Sequence, residues 1–554
     1  MATTDRLVPR LIDAHSINYG VLRGWLQECV SGHSKHCLPS KIASAFETKV
    51  LHCRTREIVK LDGSSSYVAL SYLWGSCLDQ PADGAVFPQT IEDALTVSLM
   101  LGFEYIWIDR YCIDQNNKNE KHDQIRNMGS IYSGAALVII ACTGSDPSYG
   151  LPGVSVRHRQ PQRRIKMGNW TLVELRDKRL LSIKESTWTK RAWTYQEGYL
   201  AKRRLIFTDY EVTYVCDYGI CRETLSAMLP HSVLEAEFGM GDLFAHSARQ
   251  SEIPSNRPCL EGYSRAEIDN YQGCIEEISR RKLSYESDVL DACSGVLAFL
   301  SNRRDEENKN LPLLFLWGLR IFEDGLDLTW YQRAPGLRRH GFPTWTWAGS
   351  VGSIYHPLHC WEVMREIDQL EVGVRCDAEE TCLQSDLDRT PACTWQAIKD
   401  YYFGLLASTT DTQNPPRLLK LTGKCPRFRL AHTSPPSLKK GQKTEFRVAM
   451  AEGPTKSFTA PLILDIEMIE AELGDCIILM VGGKRITDES DIKKYGSRVG
   501  GLFLVLKPAV TNSCYERVGI VDPGYGNPRP DYSKFQCEDT WELPLYEERT
   551  VIIQ

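Results

Sequence analysis

Two rhythms of apolar and polar positions alternate through the first part of the chain. Up to about residue 225, short apolar runs such as YVALSYLWG (67–75), YIWIDRYCI (105–113) and ALVIIAC (136–142) read as strands. Between them IEDALTVSLMLG (91–102) and KHDQIRNMGSIYSG (121–134) carry apolar residues at helical spacing. Strands alternating with helices of this length predict βαβ units and a parallel sheet. Helical patterns dominate from about 232 to 305, and the stretch from about 311 to 355 is rich in Trp, ending in GFPTWTWAGSVG. The polar segment CDAEETCLQSDLDRTPACT (376–394) predicts a loop or linker, and the runs beyond it, such as DCIILMVGG, GGLFLVLKPAV and YERVGIVD, predict a β-rich closing domain. The expected organisation is an α/β domain over 1–225, a helical and Trp-rich extension packed on it over 226–370, a linker over 371–399, and a β-rich domain over 400–554. No fixed period repeats, which argues against a solenoid or propeller.

Length supports this division, since 554 residues exceed what one hydrophobic core usually serves. The formal net charge of −6 is small and not segregated, so neither a nucleic-acid surface nor an anionic-membrane surface is expected. The longest apolar runs fall far short of the roughly 20 residues a membrane helix needs. The chain opens on MATTDRLVPRLIDAHS without the apolar core of a secretory signal, and its nineteen Cys are scattered singly. Reduced thiols and a cytoplasmic location are the expectation.

One short stretch carries a chemical question. In RAWTYQEGYL (191–200), Trp193, Glu197 and Leu200 fall at i, i+4 and i+7, so a helix there places the Glu197 carboxylate on an apolar stripe. Glu197 is a candidate catalytic group; the structural alternative is an ion pair with Arg191, Arg203 or Arg204, or backbone N–H donors. Trp193 is a candidate ligand platform or a core residue, and Gln196 is expected in solvent. The strand of YVALSYLWG breaks into Ser71, Tyr72, Trp74 and Gly75 where an open parallel sheet places its binding crevice, outside the carboxyl ends of strands. Ser71 and Tyr72 are candidates for ribose or phosphate contacts, Trp74 for stacking on a base, and Gly75 for close backbone approach; packing is the alternative for Trp74. The second strand is expected to end at Asp109, a candidate for a ribose hydroxyl or a helix cap, with Arg110 beyond it. Cys112 is expected to be buried and inert, and Met128, Ile131 and Tyr132 to be core.

No G-x-x-x-x-G-K-[ST], G-x-S-x-G or H-E-x-x-H occurs in the sequence. The nearest thing to a metal motif is CVSGHSKHC, in which Cys29, His33 and Cys37 recur every four residues with His36 and Cys53 as further possible ligands. That spacing is not a common zinc pattern, so packing is the expected role and no metal or cofactor is assigned.

YVALSYLWG, then YIWIDRYCIDQ with QIRNMGSIYSGA, then STWTKRAWTYQEGYLAKRRLIF resemble, in order, the three blocks of the HET (heterokaryon incompatibility) domain of filamentous fungi. Similarity extends through WLQECVSGHSKHC before them and LSYESDVLDACSG and PTWTWAGSVG after them. The resemblance implies an effector of non-self recognition, innate immunity and programmed cell death, and a flavodoxin-like core distantly similar to TIR signalling domains. Some TIR domains hydrolyse NAD through a glutamate in the pattern Ser-x-Trp-Cys-x-x-Glu, and the Trp-x-x-x-Glu register of RAWTYQE puts Glu197 at that position. Leu73, Arg110, His122 and Gly198 depart from the usual HET pattern. Chemically, one carboxylate suffices for NAD, because nicotinamide is already a cationic leaving group, whereas ordinary glycosides need a pair. Three classes stay open: an NAD-cleaving effector that acts as a homo-oligomer or under a protein partner, a non-catalytic TIR-like interaction module, and an N-glycoside hydrolase or transferase for another nucleoside or nucleotide.

Overall fold

The computed structural model describes residues 8–33, 37–40, 48–63, 65–75, 87–173, 182–230, 265–301, 314–322, 325–332, 334–356, 371–375, 418–426, 428–431, 447–451, 457–464, 476–485, 499–510, 514–521 and 546–553. The chain divides into two compact units, Met1–Arg257 with Arg281–Leu300, and Pro258–Arg280 with Ser301–Gln554.

In the first unit the strands are β1 (Lys49–His52), β2 (Ile58–Lys60), β3 (Tyr67–Ser71), β4 (Tyr105–Trp107), β5 (Leu137–Ala141), an exposed hairpin β6 (Arg164–Met167) and β7 (Trp170–Val173), then β8 (Arg203–Phe207), β9 (Val212–Cys216), β10 (Gly219–Arg222) and β11 (Leu229–Pro230). The helices are α1 (Tyr19–Gly32), α2 (Gln89–Met100), the single turn α3 (Asp109–Cys112), α4 (Lys118–Gly134), α5 (Trp193–Leu200) and α7 (Asp291–Ser301), with α6 (Arg265–Ser279) in the second unit. Nine strands form one sheet in the order β11-β10-β9-β8-β5-β3-β4-β1-β2.

The expected parallel sheet is present only at its centre. β4, β3, β5 and β8 run parallel, and all residues of β3, β5 and β8 are buried, as both-face coverage by helices requires. Antiparallel strands flank this centre on both sides, making the sheet mixed. On the β8 side the reason is connection length: β8, β9 and β10 follow one another through turns too short for the dozen or more residues that a parallel crossover demands. Within the parallel set the first strand in sequence, β3, lies between the second, β4, and the third, β5. This is the flavodoxin-like order, whose binding crevice opens at the switch point between first and third strands. Ser71 is the last residue of β3.

β4 ends at Trp107, two residues earlier than expected, because Asp109–Cys112 closes a helical turn. α4 begins at Lys118, where the Asn117 side chain caps it by accepting from the Glu120 N–H. No described helix is long and apolar enough to cross a membrane.

The second unit is β-rich, as expected. Its larger sheet contains Leu418–Pro426, Ser457–Leu464, Ile477–Arg485, Val499–Pro508, Tyr515–Val521 and Tyr546–Ile553. Glu371–Arg375 is a strand paired with Leu418–Pro426, while the rest of the expected linker, 376–399, lies outside the described residues. The Trp-rich segment is core. Trp330, Trp345 and Trp347 are buried, with the Trp330 indole donating to the Trp345 carbonyl and the Trp347 indole to that of Gly318, both at 3.1 Å.

Candidate functional site

Glu197 is 5% exposed and sits in α5 against the carboxyl end of β3. The helix is not amphipathic. Thr194 through Leu200 are all buried, so an all-round interior helix replaces the single apolar stripe that the spacing suggested. Its polar side chains are matched one by one. Thr194 bonds the carbonyls of Trp188 and Arg191, and Gln196, expected in solvent, is fully buried and accepts from the Gly295 N–H at 3.3 Å while facing the Asp291 carbonyl. The Ala192 N–H donates to Lys282 at 2.9 Å, and the Arg281 guanidinium covers the Tyr195 ring. The segment 281–300 thus builds the far wall of this helix. α4 and α7 touch closely enough that a methyl group on Gly295 would lie 2.7 Å from the Gly129 Cα.

The Glu197 carboxylate accepts a short hydrogen bond from the Ser71 hydroxyl, which in turn accepts from the Trp188 indole at 2.6 Å. Of the arginines considered as partners, two are employed elsewhere: Arg203 donates to Cys29 Sγ and the Ala136 carbonyl, and Arg204 to the carbonyls of Gly198 and Tyr199. Burial pushes the Glu197 carboxyl up to about 7, Asp109 adds to the rise, and Ser71, Arg191 and Tyr132 oppose it. The group is therefore poised between its two protonation states near neutrality.

Asp109 is the second carboxylate of the site. It is part-exposed at the start of α3, where both its oxygens accept from the Trp74 indole at 2.9 and 3.0 Å and one accepts from the Arg110 N–H at 2.7 Å. Burial raises it to about 6 against those donors. The Arg110 guanidinium lies over the Trp74 ring at 5.7 Å, a cation–π contact that fixes the plane of the indole. Tyr72 is buried, and its hydroxyl has no hydrogen-bond partner among the described residues. Gly75 is exposed with φ +66°, and a Cβ there would meet the Asp146 Cβ at 2.7 Å, so only glycine fits this turn. Trp193, the first residue of α5, is half-buried.

Ser71, Tyr72, Trp74, Asp109, Arg110 and Glu197 are thus gathered by two strand ends and one helix. Sequence reasoning missed two contributors: Trp188 holds Ser71, and Tyr132, expected as plain core, is buried with its hydroxyl beside Glu197 and donating to the Leu70 carbonyl at 3.3 Å. Arg191, one of the arginines the sequence offered as a partner, supplies positive potential to both carboxylates. Only the helical register of Tyr132 hinted at either missed residue. Cys112 is buried as expected, its thiol pushed up to about 12 by desolvation.

The second set of candidates also converges. Cys29, His33 and Cys37 come together with Cys216, the last residue of β9, their ligand atoms all within 4.8 Å of one another. Cys53 is buried but is not in this group, and His36 lies outside the described residues.

The chain is thus an α/β protein in which buried Glu197 and part-exposed Asp109 lie near the switch point of a mixed sheet with a flavodoxin-like parallel centre. Residues 67–197 match the family model described as heterokaryon incompatibility protein (HET). A curated relative, heterokaryon incompatibility protein 6, OR allele, of Neurospora crassa, is 34% identical over 94 residues, a stretch covering 14% of this chain and 14% of that protein. The stretch similar to the HET domain runs from the first residue of β3 to Glu197. No solved structure matches the chain significantly.

Proposed function

We propose that this chain is a HET-domain effector of incompatibility and programmed cell death whose domain cleaves the nicotinamide N-glycosidic bond of NAD, with Glu197 as the acting carboxylate. The observation that carries the reading is the Glu197–Ser71 pair, a desolvated carboxylate held by a hydroxyl at the carboxyl end of the strand beside the switch point. Two neighbouring carboxyls with raised pKa values disfavour their own ionisation, and a cationic nicotinamide ring relieves that by supplying the opposite charge. The same substrate then needs no acid, because nicotinamide departs neutral. Ionised Glu197 acts as nucleophile or as electrostatic partner of the oxocarbenium ion, and water or an internal adenine nitrogen takes the ribosyl carbon. Tyr72, whose hydroxyl has no partner among the described residues, and Trp74, Asp109, Arg110 and Trp193 are the groups available to ribose, phosphate and base. The TIR-like comparison and the cytoplasmic setting belong to this same reading, as does activation by self-assembly or by a protein partner.

A second substrate class has its own support. A nucleoside or nucleotide with an uncharged base needs a proton donor, and Glu197 near pKa 7 beside Asp109 near 6 is such a pair. Purified chain incubated with NAD and with a panel of nucleosides and nucleotides, at dilute and crowded concentration, separates the two. Nicotinamide release by the wild type, lost in a folded Glu197→Gln protein, is the expected result. Release that survives in folded Glu197→Gln protein refutes the role of this residue. No turnover of anything under any condition moves the domain to the interaction-module class.

A further inference from the structure

We propose that Cys29, His33, Cys37 and Cys216 bind one structural zinc ion, which ties the exit of α1 to the antiparallel side of the sheet. Three sulfurs and one imidazole nitrogen form a complete tetrahedral donor set of the kind that selects zinc. The dimensions agree. Zn–S of about 2.3 Å and Zn–N of about 2.0 Å at a tetrahedral angle place sulfur and nitrogen about 3.5 Å apart, and Cys37 Sγ lies 3.5 Å from His33 Nδ1.

Charge supplies an independent argument. Arg203, the register partner of Cys216 in the β8–β9 pair, is buried, and among the described residues its guanidinium meets no carboxylate, only Cys29 Sγ at 3.2 Å and the Ala136 carbonyl. A buried guanidinium requires a countercharge. Three thiolates around Zn²⁺ carry a net charge of −1, and the N–H of Arg203 then stabilises the Cys29 thiolate as an outer-shell donor. The His33 ring is held flat against Tyr218, centroids 4.4 Å apart and planes 12° apart, which fixes its orientation toward the cluster. Sequence spacing alone pointed away from metal, because the fourth ligand lies 179 residues beyond Cys37, on another element. Four closed ligands leave no open position, so the ion is structural and stands apart from the chemistry at Glu197.

The test uses the full chain, purified under reducing conditions without a metal-affinity step, with metal content measured by mass spectrometry. One zinc per chain is expected, lost in Cys29→Ser and in Cys216→Ser but kept in Cys53→Ser, whose buried thiol lies outside the cluster. Because the ligand variants can fail to fold, wild-type protein is also stripped with a chelator and titrated with Co²⁺. Thiolate-to-cobalt charge-transfer absorption with tetrahedral ligand-field bands, saturating at one equivalent, is the expected signature, accompanied by recovery of a melting temperature that chelation had lowered. Zinc-free protein from zinc-replete cells that takes up no Co²⁺ overturns the proposal. Iron in place of zinc, or a disulfide among these cysteines in anaerobically purified protein, overturns it equally.

Discussion

Ser71 donates its hydroxyl proton to the carboxylate of Glu197 although 126 residues separate them in the chain. Neither partner is exposed, and the hydroxyl oxygen is itself fixed by Trp188. The pair therefore has one geometry, and perturbing it has consequences that can be measured from either side.

Stability and activity should respond to pH in opposite directions. Glu197 has a folded-state pKa of about 7 against an ordinary 4.5, so the folded chain holds the proton more tightly. Its contribution to stability is fully present below about 4.5 and is lost as pH rises through about 7. Thermal melts from pH 4.5 to 8 should show the wild type losing stability relative to Glu197→Gln across that interval. NAD cleavage needs the ionised form, so kcat/KM should rise with pH and reach half its plateau near 7. A flat profile over this range contradicts the assignment.

Removing the Ser71 hydroxyl takes from Glu197 the stronger of two donors that favour its ionised form, so Ser71→Ala should move the rising limb of the pH–rate profile to higher pH. It also strands the buried Trp188 N–H. The cost in stability should be about 1–3 kcal/mol, read from denaturant unfolding. An unshifted limb together with unchanged stability means that this hydrogen bond does not set the carboxylate's state.

Trp74→Phe tests the other carboxylate, because it keeps a ring for Arg110 but deletes the one indole N–H that both Asp109 oxygens share. Ionised Asp109 depends most on that donor, and its pKa is about 6. The variant should therefore lose more melting temperature at pH 8 than at pH 5. The loss at pH 8 should correspond to about 1.5–3 kcal/mol for a hydrogen bond to a charged group.

Gly295→Ala places a methyl group 2.7 Å from the Gly129 Cα and 2.9 Å from Gln196 Oε1. Two helix backbones must separate to admit it, at a cost of about 1–3 kcal/mol. Turnover should fall along with stability, since Gln196 is the neighbour of Glu197. Wild-type melting and turnover in this variant would show that α7 has no part in supporting α5.

Much of this was legible in the sequence, and what was not has a physical reason. β3, α2, α4 and β5 follow from periodicity because each is long enough to show it, and the break after β3 marked Ser71 and Tyr72. The mixed character of the sheet was not visible, since strand direction depends on how a turn closes and β9 is as apolar as the parallel strands. α5 was found but misread. Seven of its eight residues are buried, so no solvent-facing side reveals its orientation, and the positions of Gln196 and Glu197 rest on partners at 295 and 71. The sulfur cluster was half visible for the same reason: local spacing displays Cys29, His33 and Cys37, whereas Cys216 arrives by tertiary folding.

The support that β8 and residues 281–300 give to α5 sets the smallest piece of this chain that can be moved intact into another protein. The stretch recognisable as a HET domain stops at Glu197, inside α5. Cut there, the fragment would keep the acting carboxylate as its final residue and lose Gly198, Tyr199 and Leu200, the remainder of its helix. β5 would become an unpaired edge open to other strands. A fragment that keeps Glu197 in its native helix must therefore carry β8 and the distant segment 281–300 along with it.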